Sequence, residues 1–339
     1  MPTVNIAEYI IETIKNILQQ NGENLDTYTF TVNNDNNVVM KKNNRSIIID
    51  ASEINEINPD QSKPYLRQQI NNLYDSLHKP PRHNSDYKTM VIVHDAWHSG
   101  PLLEATAAII RRQKWNVYTP TTAGNKPGDN RTESTLTDAT TTLTAAIDSI
   151  IAYIYQYNLI NVVLVGHGFG GMIISGVVDR IRPDTIKRLV YWNAYVPVNN
   201  ECINDLVPLA RARLFQDLYN ADQNSVLIPY PLWRNVFMNC GDATLATRTH
   251  KLLNPHPYFT FTNKLIFQNI TSIESLQIGK SYINGLSDIA LPQTSDYGWN
   301  LRFAQRLGTF RYIAHPLDHE VCFTNPSILA KSIIDAGRD

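Results

Sequence analysis

The most constraining stretch of this sequence is an apolar run, Val162-Val163-Leu164-Val165. It leads into Gly166-His167-Gly168-Phe169-Gly170-Gly171 and then into a second apolar segment, Met172 to Ile181. A short strand that is apolar throughout has no solvent-facing side, which is the pattern of a parallel sheet covered by helices on both faces. Glycines between such a strand and a helix allow a sharp turn and a close approach of the two elements. The free N–H groups at the start of the helix then face whatever stands on the turn. The unit is a strand, a tight turn and a helix, built to expose one position at the end of a buried strand.

The flanking chain repeats the alternation. Met90–Val93, Asn116–Thr119, Asn161–Val165 and Ile186–Trp192 read as strands, with helices at Leu102–Arg112, Leu136–Tyr155 and Gly171–Arg180 between them. Alternating strands and helices imply a doubly wound, mostly parallel sheet. Residues 199–275 lose the alternation and carry proline breaks at Pro229-Tyr230-Pro231 and Pro255-His256-Pro257, as expected of a mostly helical cap insertion. Alternation returns with Lys280–Asn284, a helix near Trp299–Arg306, Phe310–Ala314 and a last helix from Pro326 to Ala336.

The first 85 residues differ. Ile6, Ile10, Ile14 and Ile17 recur at helical spacing over residues 4–20. Thr27–Val32, Val38–Met40 and Ser46–Asp50 read as strands, Tyr65–Leu77 as a helix, and Lys79-Pro80-Pro81-Arg82-His83-Asn84 as a linker. Residues 1–85 are therefore expected to be a small α+β extension, and residues 86–339 the main domain. Lys and Arg number 30 against 31 Asp and Glu. So balanced a chain gathers neither nucleic acid nor an anionic membrane. Three cysteines, Cys202, Cys240 and Cys322, make no disulfide framework and lack metal-ligand spacing. No apolar stretch approaches the roughly 20 residues that span a bilayer. The expectation is a soluble, cytoplasmic protein without cofactor or metal.

Four segments carry a resemblance. Val162 to Met172 resembles the nucleophile elbow of the α/β-hydrolase superfamily, closest to the esterase branch of methylesterases and hydroxynitrile lyases. His94-Asp95-Ala96-Trp97-His98-Ser99-Gly100 resembles that branch's His-Gly-Ala-Trp-His-Gly oxyanion loop. Arg188 to Pro197 resembles the strand after the elbow helix, and His315-Pro316-Leu317-Asp318-His319-Glu320 the loop bearing the catalytic histidine. The resemblance spans roughly residues 88–337. It implies Gly168 at the nucleophile position, His319 as general base, Asp288 as the acid orienting it, and an oxyanion hole from the N–H groups of Ala96 and Phe169.

Two residues depart from that pattern. Glycine at 168 has no side chain to attack a carbonyl. Asp95 replaces a loop glycine and brings negative charge towards a developing oxyanion. Ser175, Ser99 and Cys322 are poor substitutes for the missing hydroxyl; at about 1.5 Å per residue, Ser175 lies roughly 10 Å down the helix. His94, His98 and His167 read as structural, and a metal site made by these with His319 lacks a helical ligand motif. Gly166, Gly168 and Gly171 match a dinucleotide fingerprint, but the next strand ends Tyr191-Trp192-Asn193 without the acid that fingerprint requires.

The leading expectation is a pseudo-esterase without its serine, used for binding, scaffolding or assembly, with residues 1–85 as a partner or self-assembly module and a small apolar ligand in the pocket. The alternatives are a lyase, cyclase or cofactor-free oxygenase working through the Asp288–His319 dyad, and a serine esterase inactivated by substitution at Gly168.

Overall fold

The computed structural model describes residues 6–20, 26, 28–33, 38–42, 45–49, 83–125, 141–221, 224–294 and 296–339. The expected helix over 65–77 and most of the linker after it lie outside these. The chain divides into two compact units, residues 1–80 and 81–339. The first holds helix α1 (Ile6–Gln20) and an antiparallel sheet of β1 (Tyr28–Val32), β2 (Val38–Lys42) and β3 (Arg45–Ile49). The isoleucine spacing shows its purpose here, since Ile10 and Ile14 are fully buried.

The second unit is built on β4 (Lys88–Val93), β5 (Trp115–Tyr118), β6 (Val162–His167), β7 (Ile186–Trp192), β11 (Gly279–Gly285) and β12 (Arg311–His315). These six pair in parallel in the order β12-β11-β7-β6-β4-β5. Between β7 and β11 lie three two-residue strands, β8 (Tyr219–Asn220), β9 (Ser225–Val226) and β10 (His256–Pro257), which form a small antiparallel ladder. The other described residues of 199–275 form short helices joined by turns and loops.

Successive residues of one strand point to opposite faces, and both faces are filled. Val91, Val93, Leu164, Leu189 and Tyr191 join one core with the helices α3 (Leu143–Gln156) and α4 (Gly170–Arg180). Met90, Ile92, Val163, Val165, Val190 and Trp192 join the other, with α2 (Glu104–Arg111) and the C-terminal helix Pro326–Gly337. β6 lies inside the sheet, so its carboxyl end opens at the centre of the domain.

The turn after β6 is crowded. Gly168 takes φ +51° and its carbonyl accepts from Gly171 N–H at 3.1 Å and Tyr195 N–H at 3.2 Å. A Cβ on Gly171 would lie 2.1 Å from the Tyr195 carbonyl oxygen, where only backbone could give way. Gly171→Ala is therefore expected to destabilise the fold by about 1–3 kcal/mol, measured by urea denaturation. An unchanged midpoint would show that this approach is loose.

Candidate active site

Four segments meet at the end of β6. The loop after β4 brings Asp95, the turn itself brings Gly168 and Phe169, and the loops after β11 and β12 bring Asp288 and His319. The space beside Gly168 is not empty. A Cβ at this position would lie 2.1 Å from Asp95 Oδ1 and 2.2 Å from its Cγ. The Asp95 carboxylate thus occupies the place a serine side chain would take. Its Oδ1 accepts the Phe169 N–H at 2.5 Å. That donor, which the sequence assigned to an oxyanion hole, is already engaged. Ala96, the other assigned donor, lines the adjacent cavity.

His319 sits between two carboxylates. Its Nδ1 donates to Asp288 Oδ2 at 2.7 Å and its Nε2 to Asp95 Oδ2 at 3.0 Å. A carboxylate only accepts, so both ring nitrogens carry protons and the ring is an imidazolium. Burial opposes that charge, but Asp288 and Asp95 outweigh it and hold His319 well above the usual histidine range. Burial likewise pushes Asp95 up, yet the hydrogen bond from His319 and the nearby rings of His167, His319 and His98 bring it well below. Asp288 is fixed from its other side by the Ala290 N–H, at 2.7 Å from Oδ1. The result is a buried carboxylate–imidazolium–carboxylate chain through His319.

The other histidines have structural partners. His94 donates from Nδ1 to the Asp95 carbonyl at 2.7 Å and accepts the Thr122 N–H on Nε2 at 3.1 Å. His98 bonds the Ala96 carbonyl and Glu320 Oε2, the latter at 3.0 Å in an ion pair with no exposed surface. Glu320 as the partner of His98 was not anticipated from sequence; no local spacing links residues so far apart. His167 stacks on Trp192 with ring centroids 3.6 Å apart, and its Nε2 meets the His319 carbonyl at 3.0 Å. Ser175 is committed to the Gly171 carbonyl and the Tyr191 hydroxyl, while Cys322 is buried with its thiol towards Glu320. Ser99 is buried and precedes the short helix at Gly100–Leu103. No hydrogen bond joins these three to His319 among the described residues.

The segment 199–275 lines one part of the cavity at Asp95 and His319. Its walls include Trp97, Phe169, Arg211, Phe215, Phe237 and Trp299. Its volume is about 20 Å³, room for one water. Arg211 stands over the Phe237 ring at 5.6 Å and forms no ion pair among the described residues.

Two of the buried histidines, His94 and His256, contribute to the acid limit of the fold. Burial lowers His94 to about 4 and His256 to about 3. Both are neutral when folded, so the stability they contribute is complete above the unfolded value near 6.5 and is lost as pH falls towards their folded values. At about 1.4 kcal/mol per unit this amounts to several kcal/mol. Asp318, which burial raises to about 6, works in the opposite direction and offsets part of it. The urea midpoint is expected to fall between pH 6.5 and 4; a midpoint constant over that interval would contradict the assignment.

Against known proteins, the description "Alpha/beta hydrolase family" matches residues 90–270. An extracellular α/β-hydrolase from a Paenibacillus species, described as sharing structural and functional homology with tobacco salicylic acid binding protein 2, superposes with a TM-score of 0.67 at 31% identity. That match covers 74% of this chain and 100% of the other. A pyrethroid hydrolase from Sphingobium faniae superposes at TM-score 0.57 and 19% identity, over 74% of this chain and 97% of its own, a likeness of fold alone. A carbendazim hydrolyzing esterase from Nocardioides is 39% identical over 120 residues, or 35% of this chain. Only 47% of that curated relative is spanned by the match, about half its length. The chain belongs to the α/β-hydrolase family, and its relatives are esterase-like. Among the described residues no helix is long and apolar enough to cross a membrane.

Proposed function

We propose that this protein is an esterase-like α/β-hydrolase that does not carry out serine-type acyl transfer and serves binding, scaffolding or assembly instead. The observation that carries this reading is the Asp95 carboxylate beside Gly168. It fills the missing side chain's place, takes the Phe169 N–H and ties up His319 Nε2. Each of these three contacts removes something acyl transfer needs: the nucleophile's space, an oxyanion donor and a free base. Names of relatives that refer to ester or pyrethroid hydrolysis describe those proteins.

Proton abstraction by an Asp288–His319 dyad has less support, because an imidazolium between two carboxylates has no lone pair to offer. A partner or assembly role for residues 1–85 belongs to the same proposal, as does a cytoplasmic site of action. The direct test is turnover of p-nitrophenyl acetate by the wild-type chain. The rate is expected to match a buffer blank, and saturable, enzyme-dependent hydrolysis at ordinary enzymatic rates would end this reading.

A further inference from the structure

We propose that Asp95, His167 and His319 form a binding site for a first-row transition-metal dication of the zinc or iron(II) class, which takes the place of the proton between Asp95 and His319. One ligand atom from each of these three buried residues lies within 4.8 Å of the others. Two imidazoles and one carboxylate are a donor set that such dications accept.

His167 supplies the second observation. Its Nε2 faces the His319 carbonyl at 3.0 Å, and a carbonyl can only accept. Nε2 therefore carries the ring proton and Nδ1 keeps a bare lone pair. That Nδ1 has no hydrogen-bond partner although the residue is fully buried. Coordination would satisfy it.

The surroundings fit the same occupant. Asp288 holds His319 Nδ1 at 2.7 Å, the carboxylate–histidine arrangement that orients a ligating Nε2. Asp95 and Asp288 place two negative charges against one imidazolium, all three buried. Exchange of the proton for a dication neutralises that cluster and releases the proton to solvent. The cavity of about 20 Å³ touches Asp95 and His319 and has room for one water as a further ligand. The site goes beyond the absence of serine chemistry and relies on it only in that Asp95 stands where a serine side chain would be.

The test equilibrates the full wild-type chain with Co²⁺ or Zn²⁺, desalts it and counts metal by mass spectrometry. About one metal per chain, visible d–d absorption of the Co²⁺ form and proton release on titration are expected. Asp95→Asn keeps side-chain shape, His167→Asn removes the ring donor, and each should weaken retention about tenfold or more. Wild-type retention no greater than a buffer blank, or retention in both variants equal to that of the wild type, overturns the proposal. A wild-type melting temperature that Co²⁺ does not raise above an EDTA control overturns it too, so the test does not depend on the variants folding. Ester turnover is scored separately. Its appearance would sink the preceding proposal and leave the metal count standing, and a missing metal would leave the ester result standing.

Discussion

Gly168→Ser alone is expected to leave ester hydrolysis at the wild-type level, whereas Gly168→Ser combined with Asp95→Gly is expected to raise it by orders of magnitude. The reason is spatial before it is chemical. A Cβ at 168 meets the Asp95 carboxylate at 2.1–2.5 Å, so the new side chain cannot enter unless the 94–100 loop moves. With the loop in place, Asp95 also holds His319 protonated, so an added hydroxyl meets no free base. Removal of Asp95 frees the Phe169 N–H, lets His319 fall back towards a base and clears the space. Loss of a triad nucleophile costs about a millionfold in one well-studied protease, and loss of an oxyanion donor about 10²–10³. Recovery of a few of these orders is the expected scale. Initial rates on p-nitrophenyl acetate read it. Full activity in the single variant would show that Asp95 is no obstacle.

Asp288→Ala is expected to cost about 3–5 kcal/mol, the usual result of removing one partner from a buried ion pair. The alanine leaves the His319 Nδ1 proton without its acceptor at 2.7 Å and the Ala290 N–H without its own. Asp95→Gly should cost clearly less, because the carboxylate it leaves in place makes the shorter contact with His319, 2.7 Å against 3.0 Å. Urea denaturation of the two variants compares them directly. Equal losses would mean that the two carboxylates hold the imidazolium alike, contrary to the shorter Asp288 contact.

How much of this was legible in the sequence depends on distance along the chain. The parallel sheet was readable because each strand states its burial locally, as Val162 to Val165 does. The end of the turn was readable because glycine at 168 names its own deficiency. Helix ends were less exact. Of the helix expected over Leu136–Tyr155, residues 136–140 lie outside the described residues; the described helix is Leu143–Gln156, opening on the Thr142 hydroxyl that accepts the Ala145 N–H.

The sequence names several residues that the fold brings together at this turn, but not the contacts between them. Asp95 was recognisable as a charge near an oxyanion position, but not as a group reaching 73 residues along the chain into the space at Gly168. That contact depends on the pairing of β4 beside β6, which no local pattern encodes. The same holds for Glu320 against His98, and for the bare Nδ1 of His167, which follows only once the His319 carbonyl is seen at its other nitrogen. The sequence-weighed metal set of His94, His98, His167 and His319 is divided in the fold. His94 is tied to Thr122 and His98 to Glu320, while Asp95 joins His167 and His319 instead.

The central claim is that nothing on this turn can form an acyl or phosphonyl bond. Intact-mass measurement of the wild-type chain after exposure to a fluorophosphonate tests it most directly. The account predicts an unchanged mass for the wild type and a single phosphonyl adduct for the Gly168→Ser, Asp95→Gly pair. One stoichiometric adduct on the wild-type chain, mapped to a residue beside His319, would contradict it.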